Sequence, residues 1–408
     1  MQDAVPASPA RAALSFTVLM AAMTAIGPLS IDMYLPSLPE IARDLHTQTH
    51  AAQATVAIFF VGMACGQLIY GPASDRLGRR KPILLGLGLY VLGSIASAAA
   101  LSLSALLVAR LAQALGACAC MVIGRAVVRD HFDYRESARF FSLLALVAGI
   151  APILAPLAGS LLLELTGWRA IFMLLTAFGA SLWICVWLGL PESRSEAVAA
   201  QARQEHPLRS YVNLLRKRRL NGFLIAGALN GAAMFTYIAS SPAVLIGVYH
   251  VSATQFGLLF GMNALGLIGA SQLNRALLRR LAVEKVLRAA AAASAIAAGW
   301  LLFVAITRTG GLWSLLVPLF VTVSSASLIQ ANTLAGALSV DPTRAGTTSA
   351  LFGASSFAAG ALASSAAGAL YDGTAHPMCY VIAICLAGCA ATLYLLALRR
   401  DTVTAGYK

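Results

Sequence analysis

Gly71-Pro72-Ala73-Ser74-Asp75-Arg76-Leu77-Gly78-Arg79-Arg80-Lys81-Pro82 is a short polar stretch set between two long apolar ones. The flanking runs, 51–71 and 82–100, each have the length that crosses roughly 30 Å of hydrocarbon at about 1.5 Å per helical residue. The same rule applied outward gives 14–36 before them, and 104–127, 138–162 and 169–190 after them. A second set follows at 220–241, 253–274, 286–306, 312–336, 345–369 and 376–398. The reading is an all-α membrane protein with twelve transmembrane helices in two six-helix bundles. The first bundle covers 1–190 and the second 220–408, joined by the polar linker 191–219 with its basic run Arg216-Lys217-Arg218-Arg219.

Composition agrees with the count. Hydrophobic residues make up 59% of the 408 and charged residues only 11%, against about 25% charged in a soluble chain. A soluble fold has no means of hiding that much apolar surface, whereas lipid tails do. The net charge of +13 looks at first like a nucleic-acid binder, but its distribution reports topology. With the N-terminus inside, Arg43, Arg169 and Arg308 fall outside and Arg110 falls within a span, which leaves twenty-five of the 29 basic residues on the cytoplasmic side. That bias predicts both termini inside, contact with a lipid bilayer and no nucleic-acid partner. The first run is too long for a signal peptide and reads as a retained helix.

The seven cysteines lie in apolar runs and none forms C-x-x-C, so packing is their expected role, with no metal site. Small residues let membrane helices approach closely. Gly257, Gly261, Gly266 and Gly269 in the eighth run, and Gly353, Gly360 and Gly368 in the eleventh, read as such seams.

Asp32, within Pro28-Leu29-Ser30-Ile31-Asp32-Met33-Tyr34-Leu35-Pro36, is the acid lying well inside a span. A carboxylate there costs about 2.5–3.5 kcal/mol on insertion scales, which points to a cavity and a function such as proton exchange. Arg110 is the second charge at membrane depth. Both lie roughly 8–9 Å below the outer surface by residue count, so a direct or water-bridged pair is geometrically possible.

The spacing G-x-x-x-D-R-x-G-R-R in the opening stretch resembles the signature loop of the major facilitator superfamily. The resemblance implies that Gly71, Asp75, Arg76, Gly78 and Arg79 latch the cytoplasmic side, with the Asp engaging a helix N-terminus and a nearby Arg. Gly149-Ile150-Ala151-Pro152-Ile153-Leu154-Ala155-Pro156-Leu157-Ala158-Gly159 is similar to the kinked antiporter segment of drug-exporting facilitators, and Gly149, Pro152, Pro156 and Gly159 carry the likeness. Residues 29–36, 66–72, 167–172 and 345–349 resemble the bicyclomycin-resistance and chloramphenicol-efflux (Bcr/CflA) group. That group implies proton-driven export of small antibiotics from the bacterial inner membrane. It also implies a monomer, with the proton gradient in place of any cofactor. Asp32 would be the proton-linked acid and Arg110 its embedded partner.

Candidates for the substrate cavity are Tyr34, Met234, Phe235, Tyr237, Asn263, Gln330 and Asn332, polar or aromatic residues within spans. Transport of a native metabolite, such as an amino acid or nucleoside, is the alternative use of such a scaffold. The scattered histidines and the absence of hydrolase, metalloprotease or P-loop patterns argue against an enzyme.

Overall fold

Twelve helices long and apolar enough to cross a membrane run through the computed structural model, which describes residues 9–196, 200, 207–307 and 311–397. The first six are α1 Pro9–Asp32, α2 Thr49–Leu77, α3 Arg80–Ala98, α4 Leu103–His131, α5 Tyr134–Thr166 and α6 Trp168–Gly189. The second six are α7 Arg218–Pro242, α8 Ala253–Leu278, α9 Val283–Thr307, α10 Gly311–Val340, α11 Ala345–Ala369 and α12 His376–Thr392. Each coincides with an expected run, and several extend past it because polar ends such as Ser74–Leu77 stay helical. Of the three basic residues expected outside, Arg308 lies beyond the described residues.

Local chemistry sets the ends. Asp133 and Glu136 form a reciprocal capping box at the start of α5, and Ser252 and Gln255 do the same for α8. The Ser102 hydroxyl accepts from the Ala105 amide at 3.2 Å to start α4. Gly167, at φ +84°, turns the chain from α5 into α6.

One expected boundary is corrected. The first run was read as one span through residue 36, but α1 stops at Asp32. Pro36 has no N–H to donate to the carbonyl of residue 32, and Leu35 before it is disfavoured from helix. The chain continues as a 3₁₀ turn, Leu35–Ser37, and a short helix, Leu38–Asp44, with Met33 to Leu38 all buried. The linker also differs from a purely solvated one. A helix at Pro207–Leu215 donates a hydrogen bond from the Tyr211 hydroxyl to the Leu68 carbonyl of α2, at 3.2 Å.

Within the first half α4 packs on α2 and α3, α3 on α6, and α1 on α5. In the second half α7 is central, against α10, α11 and α12. The halves meet along two seams, α2 with α11 and α5 with α8. A Cβ on Gly257 would lie 2.9 Å from Leu157, and one on Gly353 would lie 2.9 Å from Gln67, so small residues do line both seams. Of the seven seam glycines, Gly269 is the exception, with open space at its Cβ position. The outward surface is apolar: Leu85, Ile296 and Leu362 are each more than 70% exposed, as hydrocarbon contact requires.

Candidate functional site

The break after Asp32 places its carboxyl in packed interior, at 4% exposure, where the following 3₁₀ turn touches α5 of its own half and α7 and α8 of the other. Ser30, two residues earlier, bonds the Tyr90 hydroxyl of α3 at 2.8 Å. Close by, Gly159 of α5 sits against the end of α1 so tightly that a Cβ there would overlap the Met33 carbonyl. The segment 149–159 is thus a contact surface for α1 on one side, while Gly149 meets Ile268 of α8 on the other. Pro152 and Pro156 lie inside α5, which stays continuous through both.

Arg110 is fully buried on α4, and its guanidinium carbon stands 4.2 Å from the Tyr34 ring centroid and 4.4 Å from that of Phe59. Phe172 closes a third side at 5.6 Å. Such a cage stabilises a desolvated cation by about 2 kcal/mol. Nη1 donates to Gln113 Oε1 at 2.5 Å, and Gln113 Nε2 donates onward to the Ser94 hydroxyl at 2.8 Å. Nε and Nη2 make no hydrogen bond. The pairing that equal depth made possible is not present: no ion pair joins Asp32 and Arg110, and aromatic faces surround the cation instead.

The signature loop is assembled around Arg79. Its side chain is 5% exposed and bonds Asp75 at 2.5 Å and Asp130, at the end of α4, at 2.8 Å. Ser74 accepts a third bond at 2.9 Å. Asp75 engages the nearby Arg79 as expected, and the N-terminus of α3 is held by a second acid. Glu192, just past α6, accepts from the Arg79 amide at 2.7 Å and the Arg80 amide at 3.2 Å, at the first turn of α3. Gly78 makes this possible: its φ is +92°, and a Cβ there would overlap the Glu192 carboxylate. Arg194 adds a bond to the Arg76 carbonyl at 2.6 Å.

A cavity of about 540 Å³ opens beside this loop, between the halves. Gly71, Asp75, Arg76 and Arg79 line one wall, and Thr347 and Arg344 at the start of α11 lie opposite. On the other face the halves are in contact. Glu164 accepts from the Thr254 hydroxyl at 2.7 Å, and the His50 and Tyr371 rings lie 6.0 Å apart.

The seven residues proposed for a substrate cavity do not line this opening. Tyr34 lies under Arg110, its hydroxyl 3.2 Å from that of Thr55. Asn263 donates to the Tyr237 hydroxyl at 2.7 Å, beneath a stacked Phe260. Gln330 accepts from Asn230 at 3.1 Å, and Asn332 donates to Asn274 at 2.8 Å. Asn263, Gln330 and Asn332 thus each bond another polar side chain, while Asn230 Oδ1 is left without a partner among the described residues. Phe235 packs between Phe60 of α2, tilted at 4.4 Å, and Phe357 of α11, stacked at 4.9 Å, with Met234 partly buried beside it.

The sequence profile described as Major Facilitator Superfamily matches residues 20–364. The chain belongs to that superfamily. The fold agrees: a D-xylose–proton symporter superposes with a TM-score of 0.73 at 13% identity, over 94% of this chain and 97% of the symporter. A facilitator named only as an uncharacterized MFS-type transporter, from Bacillus subtilis, is 35% identical over 91% of this chain and 92% of its own length. A bicyclomycin resistance protein homolog of Haemophilus influenzae is 30% identical over 94% and 96%. A chloramphenicol resistance protein of Pseudomonas aeruginosa is 35% identical over 63% and 61%. Superfamily and fold are those of multi-pass membrane transporters.

Sequence reading missed five parts of this facilitator's sites. Asp130 and Glu192 complete the latch, and Gln113, Phe59 and Phe172 complete the Arg110 cage. Glu192 had one sequence signal, its place directly after a span, but its partners lie 112 and 113 residues away.

Proposed function

We propose that this facilitator exports small antibiotics or amphiphilic drugs in exchange for protons, with the latch face and both termini in the cytoplasm of a bacterial cell. The observation that carries this reading is Asp32: a buried acid with no ion-pair partner among the described residues, at the end of α1, in the segment that touches both halves. Adding or removing a proton there changes the charge of a group packed where the two halves meet. A change of charge in low dielectric is large enough to bias a two-state packing. Arg110 supplies a fixed positive charge nearby in the same bundle. The names of the Haemophilus influenzae and Pseudomonas aeruginosa relatives support antibiotics as substrates. Alternating access then amounts to rocking of the halves along the α2–α11 and α5–α8 seams. The cavity on the latch face is the cytoplasmic entrance, and the bonded face is the closed periplasmic side.

The test uses the purified chain in proteoliposomes with an imposed pH gradient and chloramphenicol as the probe. Gradient-driven drug movement is expected for the wild type and is lost in Asp32→Asn. Movement that persists both in Asp32→Asn and after collapse of the gradient would overturn the coupling. Displacement of the drug by amino acids or nucleosides, with their own gradient-driven transport, would assign the chain to metabolites instead.

A further inference from the structure

We infer that the cavity on the latch face is an anion-binding vestibule whose ligating groups are Arg125 and Arg129 of α4. Five arginines line this cavity: Arg76, Arg79, Arg125, Arg129 and Arg344, against the single acid Asp75. The acids around it are already committed. Asp75 and Asp130 both hold Arg79, and Asp341 holds Lys217 at 2.8 Å with Arg344 at 4.0 Å. Glu192 is spent on backbone amides. Arg125 and Arg129 have no acid within ion-pair distance among the described residues, yet stand one helical turn apart on the same face. Both are exposed, and both line the cavity. Arg125 is held in place by a bond from Nε to the Met121 carbonyl at 3.0 Å, which leaves its terminal nitrogens unspent.

Two like charges at this spacing repel, and the helix bears that cost unless an anion sits between them. Guanidinium forks match carboxylate and phosphate oxygens, so the ligand class is a small organic anion or a phosphate-bearing headgroup. The site lies fifteen residues along α4 from Arg110, about 22 Å, and is separate from the Asp32 region. It deepens the reading of this opening as the substrate entrance and rests on it. Solutes carrying a carboxylate or phosphate are concentrated at the mouth, and cations are turned away.

The experiment measures binding of benzoate and of benzamide, a neutral molecule of the same shape, to the full chain in phosphatidylcholine nanodiscs. Benzoate is expected to bind at least about tenfold more tightly. That preference should vanish in the Arg125→Gln/Arg129→Gln double variant, and survive in Arg125→Lys/Arg129→Lys and in Arg279→Gln, a basic residue outside the cavity. Suppression of benzoate binding in phosphatidylglycerol nanodiscs identifies a headgroup as the resident anion. Unchanged binding there identifies a soluble one, and either result supports the site. Equal binding of the two probes, or a preference retained in the Gln double variant, overturns it. If the Gln variant fails to fold, salt decides: benzoate affinity must fall with ionic strength while benzamide affinity stays level. Gradient-driven chloramphenicol movement, measured in parallel, reports on the transport proposal independently. Anion binding without drug movement overturns that reading alone, and drug movement without anion selectivity overturns this one alone.

Discussion

The Arg110 guanidinium stands 4.2 Å from the ring of Tyr34, two residues beyond Asp32, and no ion pair joins it to that acid. The positive charge is therefore stabilised by ring faces and by Gln113. A tight Asp32–Arg110 pair would hold the carboxylate ionised and resist proton uptake.

Removing the cation should be costly even without a salt bridge to break. Arg110→Ala empties a cage of three rings and should lower stability by about 2–4 kcal/mol. Arg110→Met refills the space and should recover most of that loss while still abolishing drug export. Thermal unfolding followed by tryptophan fluorescence, with transport assays on the same preparations, checks both outcomes.

The two carboxylates on Arg79 are not equal. Asp130 is 14% exposed and Asp75 45%. Asp130→Asn should cost about 1–3 kcal/mol and loosen the loop, whereas Asp75→Asn should cost less than about 1 kcal/mol. Unfolding temperatures and protease sensitivity of the linker separate these effects.

Acid should release the Glu192 fastening. Partial burial pushes its carboxyl up, but amide bonds from Arg79, Arg194 and Arg80 outweigh that and hold it below its ordinary value of 4.5. A depressed carboxyl contributes fully above the ordinary value, and the contribution is lost as pH falls through the folded one. Deuterium exchange of the Arg79 and Arg80 amides should accelerate in that acid window. Glu192→Gln should exchange quickly at every pH once intrinsic rates are matched.

Gly257 and Leu157 face each other across the α5–α8 seam closely enough for a disulfide. Gly257→Cys with Leu157→Cys should lock the bonded face shut and stop drug movement. Reductant should restore it, and Leu157→Cys alone, which removes the side chain that a Cβ at 257 would crowd, should transport normally.

Twelve runs, their order and the loop at 71–82 were legible because lipid imposes one simple rule on every span, long and apolar. The end of the first was not. A proline four residues after the last residue of α1 looks like a terminus from sequence alone, and nothing local says that the chain goes on through a buried turn to a short helix ending at Asp44. Asp32 and Arg110 stood out because charge at membrane depth is rare. Their partners did not stand out, since Phe59 and Phe172 look like any other apolar residue until the helices are packed. The amides proposed for a cavity were recognised as needing partners. Sequence could not show that Asn263 finds Tyr237 and that Asn332 finds Asn274, across 26 and 58 residues of chain.

The grip of Glu192 on two main-chain amides has a mechanical meaning. A bond to backbone senses where the loop is and ignores which side chains it carries, so Arg79 and Arg80 remain free for other contacts. Glu192 also begins the strand of chain that leads from one half to the other. Together with Arg194, it fastens the chain leaving the first bundle to the first turn of α3 and to the loop before it, so that exit and latch are held as one piece.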